Sequence, residues 1–291
     1  MKYQYYPGCS LKGTGRAYEE SILPVMESLD APLEELKDWN CCGATAYMSV
    51  NETKAFALAA RNLAMAEERR TNGKSMDMVA PCNACYLVLN KAKRYMEEHP
   101  KTATIIKNAL KAADLDYHGE IDVRHPLDIL VNDIGIDAIK AKVKNPLKGL
   151  KVACYYGCQI VRPYATFDDQ SNPTSMDKIV EALGAEPVEW PHKTRCCGGS
   201  LTGTVTDIGV RLNFILLHEA KKRGADMIAT CCPLCQFNLE AYQDKISGEF
   251  LPISMPVAYF TQLMGVAFGI PESKLGFSKL FIPPKFALAK S

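Results

Sequence analysis

Little in this 291-residue chain is biased enough to name a partner. Its 34 lysines and arginines face 33 aspartates and glutamates, a net charge of +1, so the overall balance offers no basic field for nucleic acid or for a membrane surface. The first ten residues, MKYQYYPGCS, lack the apolar core and small-residue cleavage site of a signal peptide, and the expected location is a reducing cytoplasm. A membrane span is not expected either. The most apolar stretch, LPISMPVAYFTQLMGVAFGI at 251–270, is interrupted by Pro252, Ser254, Pro256, Thr261 and Gln262. It reads as a buried or partner-facing helix with Ser254 as N-cap and Pro256 in its first turn. Two familiar redox signatures are also missing, the ferredoxin run C-x2-C-x2-C-x3-C-P and the dinucleotide fingerprint G-x-G-x-x-G. A chain without them that moves electrons needs partners for their supply.

Cysteine is what the sequence has in excess. Twelve occur, at 9, 41, 42, 82, 85, 154, 158, 196, 197, 231, 232 and 235. With 47% hydrophobic residues the chain has material for a full core, so a disulfide framework is unnecessary and metal or redox chemistry is the better expectation. Ten of the twelve repeat. YYPGC (5–9) falls on YYGC (155–158), CCGA (41–44) on CCGG (196–199), and PCNACYLVL (81–89) on CCPLCQFNL (231–239), with offsets between 149 and 155. Constant register across five cysteines marks a duplication, with halves at 1–149 and 150–291. DVRHPLDIL (122–130) and PISMPVAYF (252–260) extend it, each read as an extended tripeptide, a proline and an apolar helical pattern. Their shorter offset places about twenty extra residues in the first half near 99–118. Cys154 and Cys231 have no counterparts and read as packing thiols.

The hydrophobic pattern predicts a strand over 2–7, a helix over 16–28 interrupted by Pro24, a long amphipathic helix over 54–70 and a buried strand over 76–81. In the second half 151–156, 176–183, 205–222 and 225–230 repeat that order. Strands alternating with helices imply parallel βαβ units, so the expected fold class is α/β, two Rossmann-like halves related by a pseudo-twofold internal repeat. Each cysteine group then follows a strand, at the edge where α/β sheets hold ligands and where helix N-termini stabilise negative charge. Zinc takes four tetrahedral ligands and often histidine, whereas each half offers five cysteines and no histidine repeats; zinc in one half stays open as an alternative. A dithiol exchanger would leave Cys9, Cys158 and both vicinal pairs without purpose. Adjacent cysteines poorly chelate one ion but reach two irons of one cluster, so the vicinal pairs favour a polynuclear iron–sulfur site.

Two copies of C-x31–39-CCG-x33–39-C-x2-C resemble the CCG-domain family, whose members include the B component of heterodisulfide reductase and parts of glycolate, lactate and glycerol-phosphate oxidising enzymes. The resemblance covers essentially the whole chain. Its 39-residue gap between Cys42 and Cys82 is slightly long, which reads as an insertion near ERRTNGKS (68–75). A free-standing double copy is most similar to the heterodisulfide reductase B component. That resemblance implies two noncubane [4Fe-4S] clusters facing one another across a substrate site. Cys9, Cys41, Cys42, Cys82 and Cys85 would hold one, and Cys158, Cys196, Cys197, Cys232 and Cys235 the other. It further implies reduction of a disulfide, such as that of coenzyme M with coenzyme B, to two thiols as in methanogenesis. The implied partners are a ferredoxin-like iron–sulfur protein and a flavin protein, the C and A components of the same complex. A small-molecule or protein-bound disulfide is the expected substrate, and a bacterial relative acting on another thiol pair, or an electron-transfer member of a flavin dehydrogenase complex, are the alternatives. For an anionic substrate Lys12, Arg16, Arg162, Lys193 and Arg195 are the nearby cations, and His192 is a candidate proton donor. Trp39 and Trp190 are expected to shield the clusters from water.

Overall fold

A computed structural model describes residues 2–44, 46–69 and 77–286. It contains two separate four-stranded sheets, both entirely parallel. In the first, β1 (Tyr3–Tyr5), β2 (Leu33–Glu35), β3 (Met78–Val79) and β4 (Val123–Arg124) lie in the order β2-β1-β3-β4. In the second, β5 (Lys151–Tyr155), β6 (Glu186–Pro187), β7 (Met227–Thr230) and β8 (Val257–Tyr259) lie in the order β6-β5-β7-β8. The two orders are the same, one sheet per half, as duplication requires. In each, the strand order reverses beside the first strand of the half, the place at whose carboxyl ends open α/β sheets bind ligands.

Chain contacts divide the protein into two compact units, residues 1–9 with 31–126 and residues 10–30 with 127–291. In the first unit the helix Glu52–Glu68 begins at Asn51, whose side chain accepts the Lys54 N–H at 3.0 Å. It packs on Asn83–Glu98 and on Pro100–Lys111, and the last of these fills the segment that is extra in the first half. In the second unit the face of β5 bearing Ala153 and Tyr155 is covered by Val210, Leu216 and Leu217 of Thr206–Lys222 and by Leu239 of Pro233–Ala241. Helix Arg16–Ser28, first-half sequence, belongs to this second unit and packs on Phe260–Ala267. Tyr18 stacks on Tyr259 with centroids 4.5 Å apart, and the Ser21 and Thr261 hydroxyls meet at 2.6 Å inside the contact.

Two expectations need correction, and a third lies outside the described residues. Pro24 does not interrupt its helix, which runs unbroken from Arg16 to Ser28; buried Ile22, Val25 and Met26 hold it although one backbone bond is missing. Residues 251–270 are not one helix from Ser254. Val257–Tyr259 is β8, in register with Ile228–Thr230, and the helix starts at Phe260, with Gln262 accepting the Tyr259 N–H at 2.9 Å. Pro256 therefore precedes a strand, where its carbonyl accepts the Ile228 N–H at 2.9 Å. The insertion read near ERRTNGKS falls largely at 70–76, as does Met76 of the expected strand, and these lie outside the described residues. Among the described residues no helix is long and apolar enough to cross a membrane.

Candidate functional site

The cysteines gather where the strands end. Cys9 lies in the short helix Gly8–Leu11 after β1, the vicinal pair follows β2, and Cys82 is the N-cap of Asn83–Glu98, with Cys85 in its first turn. Hydrogen bonding links them into a chain of five: Cys9 to Cys41, Cys41 to Cys42, Cys42 to Cys85 at 3.3 Å between sulfurs, and Cys85 to Cys82. The second unit repeats the placement, with its thiols bonded as a pair and a trio. Cys158 follows β5, Cys196 and Cys197 follow β6, Cys232 caps Pro233–Ala241 and Cys235 sits in that helix. Here Cys158 bonds to Cys196, Cys197 to Cys235 at 3.6 Å, and Cys235 to Cys232. In both sets the members furthest inside are the second vicinal cysteine and the C-x-x-C, while Cys9, Cys41 and Cys196 are exposed. None of the twelve cysteines is in a disulfide.

Backbone N–H groups point at these sulfurs. Gly43 and Ala44 donate to Cys41 and Cys42, and Gly198 and Gly199 to Cys196 and Cys197, the Gly198 contact being 3.3 Å. The turn that delivers them needs glycine. Gly43 has φ +80° and a Cβ there would stand 3.1 Å from the Ala55 Cα, while Gly198 has φ +94° and would stand 3.1 Å from the Gly209 Cα. Left-handed backbone costs a residue with a Cβ roughly 1–2 kcal/mol, and the crowding adds to it. Gly198→Ala is thus expected to destabilise the second unit by about 2 kcal/mol, read as a lower urea midpoint, and to loosen the Cys196-Cys197 turn.

A tyrosine locks each turn from below. Tyr6 donates its hydroxyl to the Asn40 carbonyl at 2.7 Å, and Tyr155 donates to the Arg195 carbonyl at 2.6 Å; in each case the acceptor precedes the vicinal pair. Burial, and then the surrounding thiols, push both phenols far above the ordinary range, so both remain donors. In the first unit Asn62 adds a second clasp, accepting the Asn40 N–H at 2.9 Å and donating to its carbonyl at 3.1 Å. The thiols influence one another strongly. Cys196 is pulled down to about 6, first by the hydrogen bond from Cys158 and, against burial, by the Gly198 N–H and the Arg162 guanidinium. Cys85 and Cys235 are pushed up by hydrogen bonds to their neighbouring cysteines and by burial.

The other residues singled out from the sequence are dispersed. Lys12 pairs with Glu19 at 2.6 Å and Arg16 with Glu20 at 3.7 Å, both in the second unit. Lys193 is buried, its ammonium 2.8 Å from Asp177 and 3.1 Å from the Pro173 carbonyl. Arg162 bonds to the Thr194 carbonyl and Arg195 is exposed. His192 is half-buried beside Trp190, 6.2 Å between ring centres, and its Nδ1 is buried without a hydrogen-bond partner. Trp190 donates to the Cys154 carbonyl at 3.0 Å and lies 6.0 Å from Tyr155; Trp39 lies edge-on to Tyr6 at 5.8 Å. Cys154 and Cys231 are fully buried, the latter in contact with the Tyr156 carbonyl at 3.5 Å.

Clusters of closely spaced thiols, soft donors at a sheet edge with amides aimed at them, suit metal or iron–sulfur binding. The sulfurs meet as contacting pairs; among the described residues no three His, Cys, Asp or Glu side chains are arranged around a single metal ion. The cysteine-rich domain family, CCG, matches twice, at residues 3–90 and 152–240. The membrane anchor subunit of 8-methylmenaquinol:fumarate reductase from Wolinella succinogenes is 32% identical over 94% of this chain and 95% of its own. A protein from Archaeoglobus profundus described as like the B component of heterodisulfide reductase is 29% identical over 94% and 93%. The B component of ferredoxin:CoB-CoM heterodisulfide reductase from Methanosarcina mazei is 27% identical over 94% and 92%. Among solved structures, a hypothetical protein from Helicobacter pylori shares the fold at a TM-score of 0.76 and 14% identity; it covers 98% of this chain, which spans 52% of that one.

Proposed function

The chain belongs to the cysteine-rich CCG domain family and is like the B component of heterodisulfide reductase, and from that premise we propose that it is the iron–sulfur member of a disulfide-reducing complex. Its place is among the other redox proteins of an oxidoreductase. Cys9, Cys41, Cys42, Cys82 and Cys85 would hold one [4Fe-4S] centre, and Cys158, Cys196, Cys197, Cys232 and Cys235 a second, both noncubane. Such centres, when bound, supply electrons singly, so two of them match the two electrons and two protons that turn one disulfide into two thiols. The observation that carries this reading is the gathering of five thiols at a strand edge in each unit, twice over.

The remaining residues act around those thiols. Tyr6 and Tyr155 fix the vicinal turns, and the amides of Gly43, Ala44, Gly198 and Gly199 orient the sulfurs. Arg162 and the exposed Arg195 offer positive charge beside the second set to an anionic thiol or disulfide, and His192 a proton to a departing thiolate. Lys12, Arg16 and Lys193 each already hold a carboxylate, so they serve better as local anchors. Without a ferredoxin run or a dinucleotide fingerprint of its own, the chain would draw electrons from a ferredoxin-like iron–sulfur partner and a flavin partner, the C and A components of such a complex.

A second reading has an observation of its own. The 32% identical relative is part of a quinol:fumarate reductase, which favours a relay between a flavin protein and a quinone that touches no disulfide. Iron, sulfide and zinc analysis of the anaerobically purified chain, followed by electron paramagnetic resonance with candidate thiols, separates the readings. About eight irons and a signal that changes on adding a thiol under oxidising conditions support the disulfide reductase. The same iron with no thiol response, in protein that exchanges electrons with a quinol, supports the relay, and zinc in place of half the iron removes both.

A further inference from the structure

The two halves match in their cysteines but differ in what donates to them. Backbone donors correspond one for one: Gly43 and Ala44 in the first half, Gly198 and Gly199 in the second. One helical turn beyond the C-x-x-C the correspondence ends. Asn238, fully buried, stands three residues after Cys235 and places its Nδ2 3.5 Å from the Cys197 sulfur, 2.8 Å from the Gly199 carbonyl and 3.4 Å from the Cys197 carbonyl. Two carbonyls against one atom identify it as the amide nitrogen, and the Thr202 hydroxyl at 3.0 Å donates to the amide oxygen on the other side. Three residues after Cys85 stands Val88, buried and with no hydrogen to donate.

Charge differs in the same sense. The Arg162 guanidinium is held on the Thr194 carbonyl, two residues before Cys196. The register that matches Cys158 to Cys9 puts Gly13 in the place of Arg162, and the neighbouring Lys12 is taken up by Glu19 at 2.6 Å. An electron added to a thiolate-bound centre adds negative charge, which a donor to sulfur and a nearby cation both stabilise. Exposure works the other way, because Cys9 is exposed where Cys158 is half-buried and water also stabilises added charge. Asn238 is a fixed donor on the buried Cys197 sulfur and acts with little screening, so its contribution outweighs that of exposure.

Building on the reading that each half holds an iron–sulfur centre, we infer that the centres are electronically inequivalent. The second half, marked by Asn238 and Arg162, takes up an electron at the higher potential; the first half, with Val88, follows. A pair staggered in this way accepts two electrons in a set order from a one-electron donor, the second-half centre being reduced first.

The test is an anaerobic dithionite titration of the full chain, followed by electron paramagnetic resonance. The unmodified protein is expected to show two separate one-electron steps. Asn238→Leu should lower the upper step alone, by about tenfold in its equilibrium constant, or about 59 mV, and Val88→Asn should raise the lower step and narrow the gap. Coincident steps in the unmodified protein, or a shift of the lower step with Asn238→Leu, would overturn the inference. Should Asn238→Leu lose iron, Val88→Asn decides, and an unchanged gap counts against the proposal. Fewer than about eight irons per chain would overturn the functional reading and this inference with it, whereas full iron with coincident steps overturns the inference alone.

Discussion

Cys85→Ser is expected to cut the iron of the anaerobically purified chain from about eight to about four atoms, with the second half keeping its share. Cys85 is the hub of the first set, buried, in sulfur contact with Cys42 at 3.3 Å and bonded to Cys82. No sixth thiol stands in for it: the two cysteines outside the sets, Cys154 and Cys231, both belong to the second unit. A serine hydroxyl is a harder, less acidic donor than a thiol and suits iron poorly in this position. Cys235→Ser should do the same to the second half, and Cys154→Ala should leave iron untouched, because Cys154 alternates with Ala153 and Tyr155 and so points to the other face of β5. Iron and sulfide analysis of the three variants checks the assignment. Loss of all iron from Cys85→Ser would mean that the two sets do not load independently, and full iron in it would remove Cys85 from the ligand set.

The parts that sequence makes legible are those with a local cause. Spacing alone aligns ten cysteines, and the order of strands and helices in both halves follows from period and length, with Glu52–Glu68, Thr206–Lys222 and Met227–Thr230 close to where the pattern puts them. Val257–Tyr259 escapes such a reading because a short apolar run is equally consistent with a strand or a buried helix, and only its pairing with β7 decides. The placement of Arg16–Ser28 in the second unit is invisible for a similar reason: its partners Tyr259 and Thr261 lie about 240 residues away. Tyr6 and Tyr155 are visible inside YYPGC and YYGC, yet their role depends on carbonyls at Asn40 and Arg195 that only the fold brings beneath them. Asn238 leaves one trace, a polar residue at a helical position where the repeat has valine, and that departure from the repeat is the signal to follow.

Lys193→Met is expected to destabilise the second unit by about 3 kcal/mol or more. Position alone makes Lys193 a candidate to bind substrate, three residues before a vicinal pair, but its side chain is 6% exposed and its ammonium spans Asp177 at 2.8 Å and the Pro173 carbonyl at 3.1 Å. Its own carbonyl accepts the N–H groups of Tyr156 and Gly157, at 2.9 and 3.2 Å, so one residue ties the turn carrying Cys158 to the start of helix Ser175–Ala182. Asp177 also accepts the Tyr156 hydroxyl. Methionine fills the space of the stem but leaves the Asp177 carboxylate, 14% exposed, with Tyr156 as its remaining strong donor, and an uncompensated charge largely withdrawn from water is costly where the intact pair is nearly neutral. Lys193→Met combined with Asp177→Asn should recover a large part of the loss, since no charge is then stranded. Urea unfolding of the single and double variants measures this directly. A surface lysine serving only to attract substrate would leave the urea midpoint unchanged and weaken substrate binding instead, and that result would return Lys193 to the binding site.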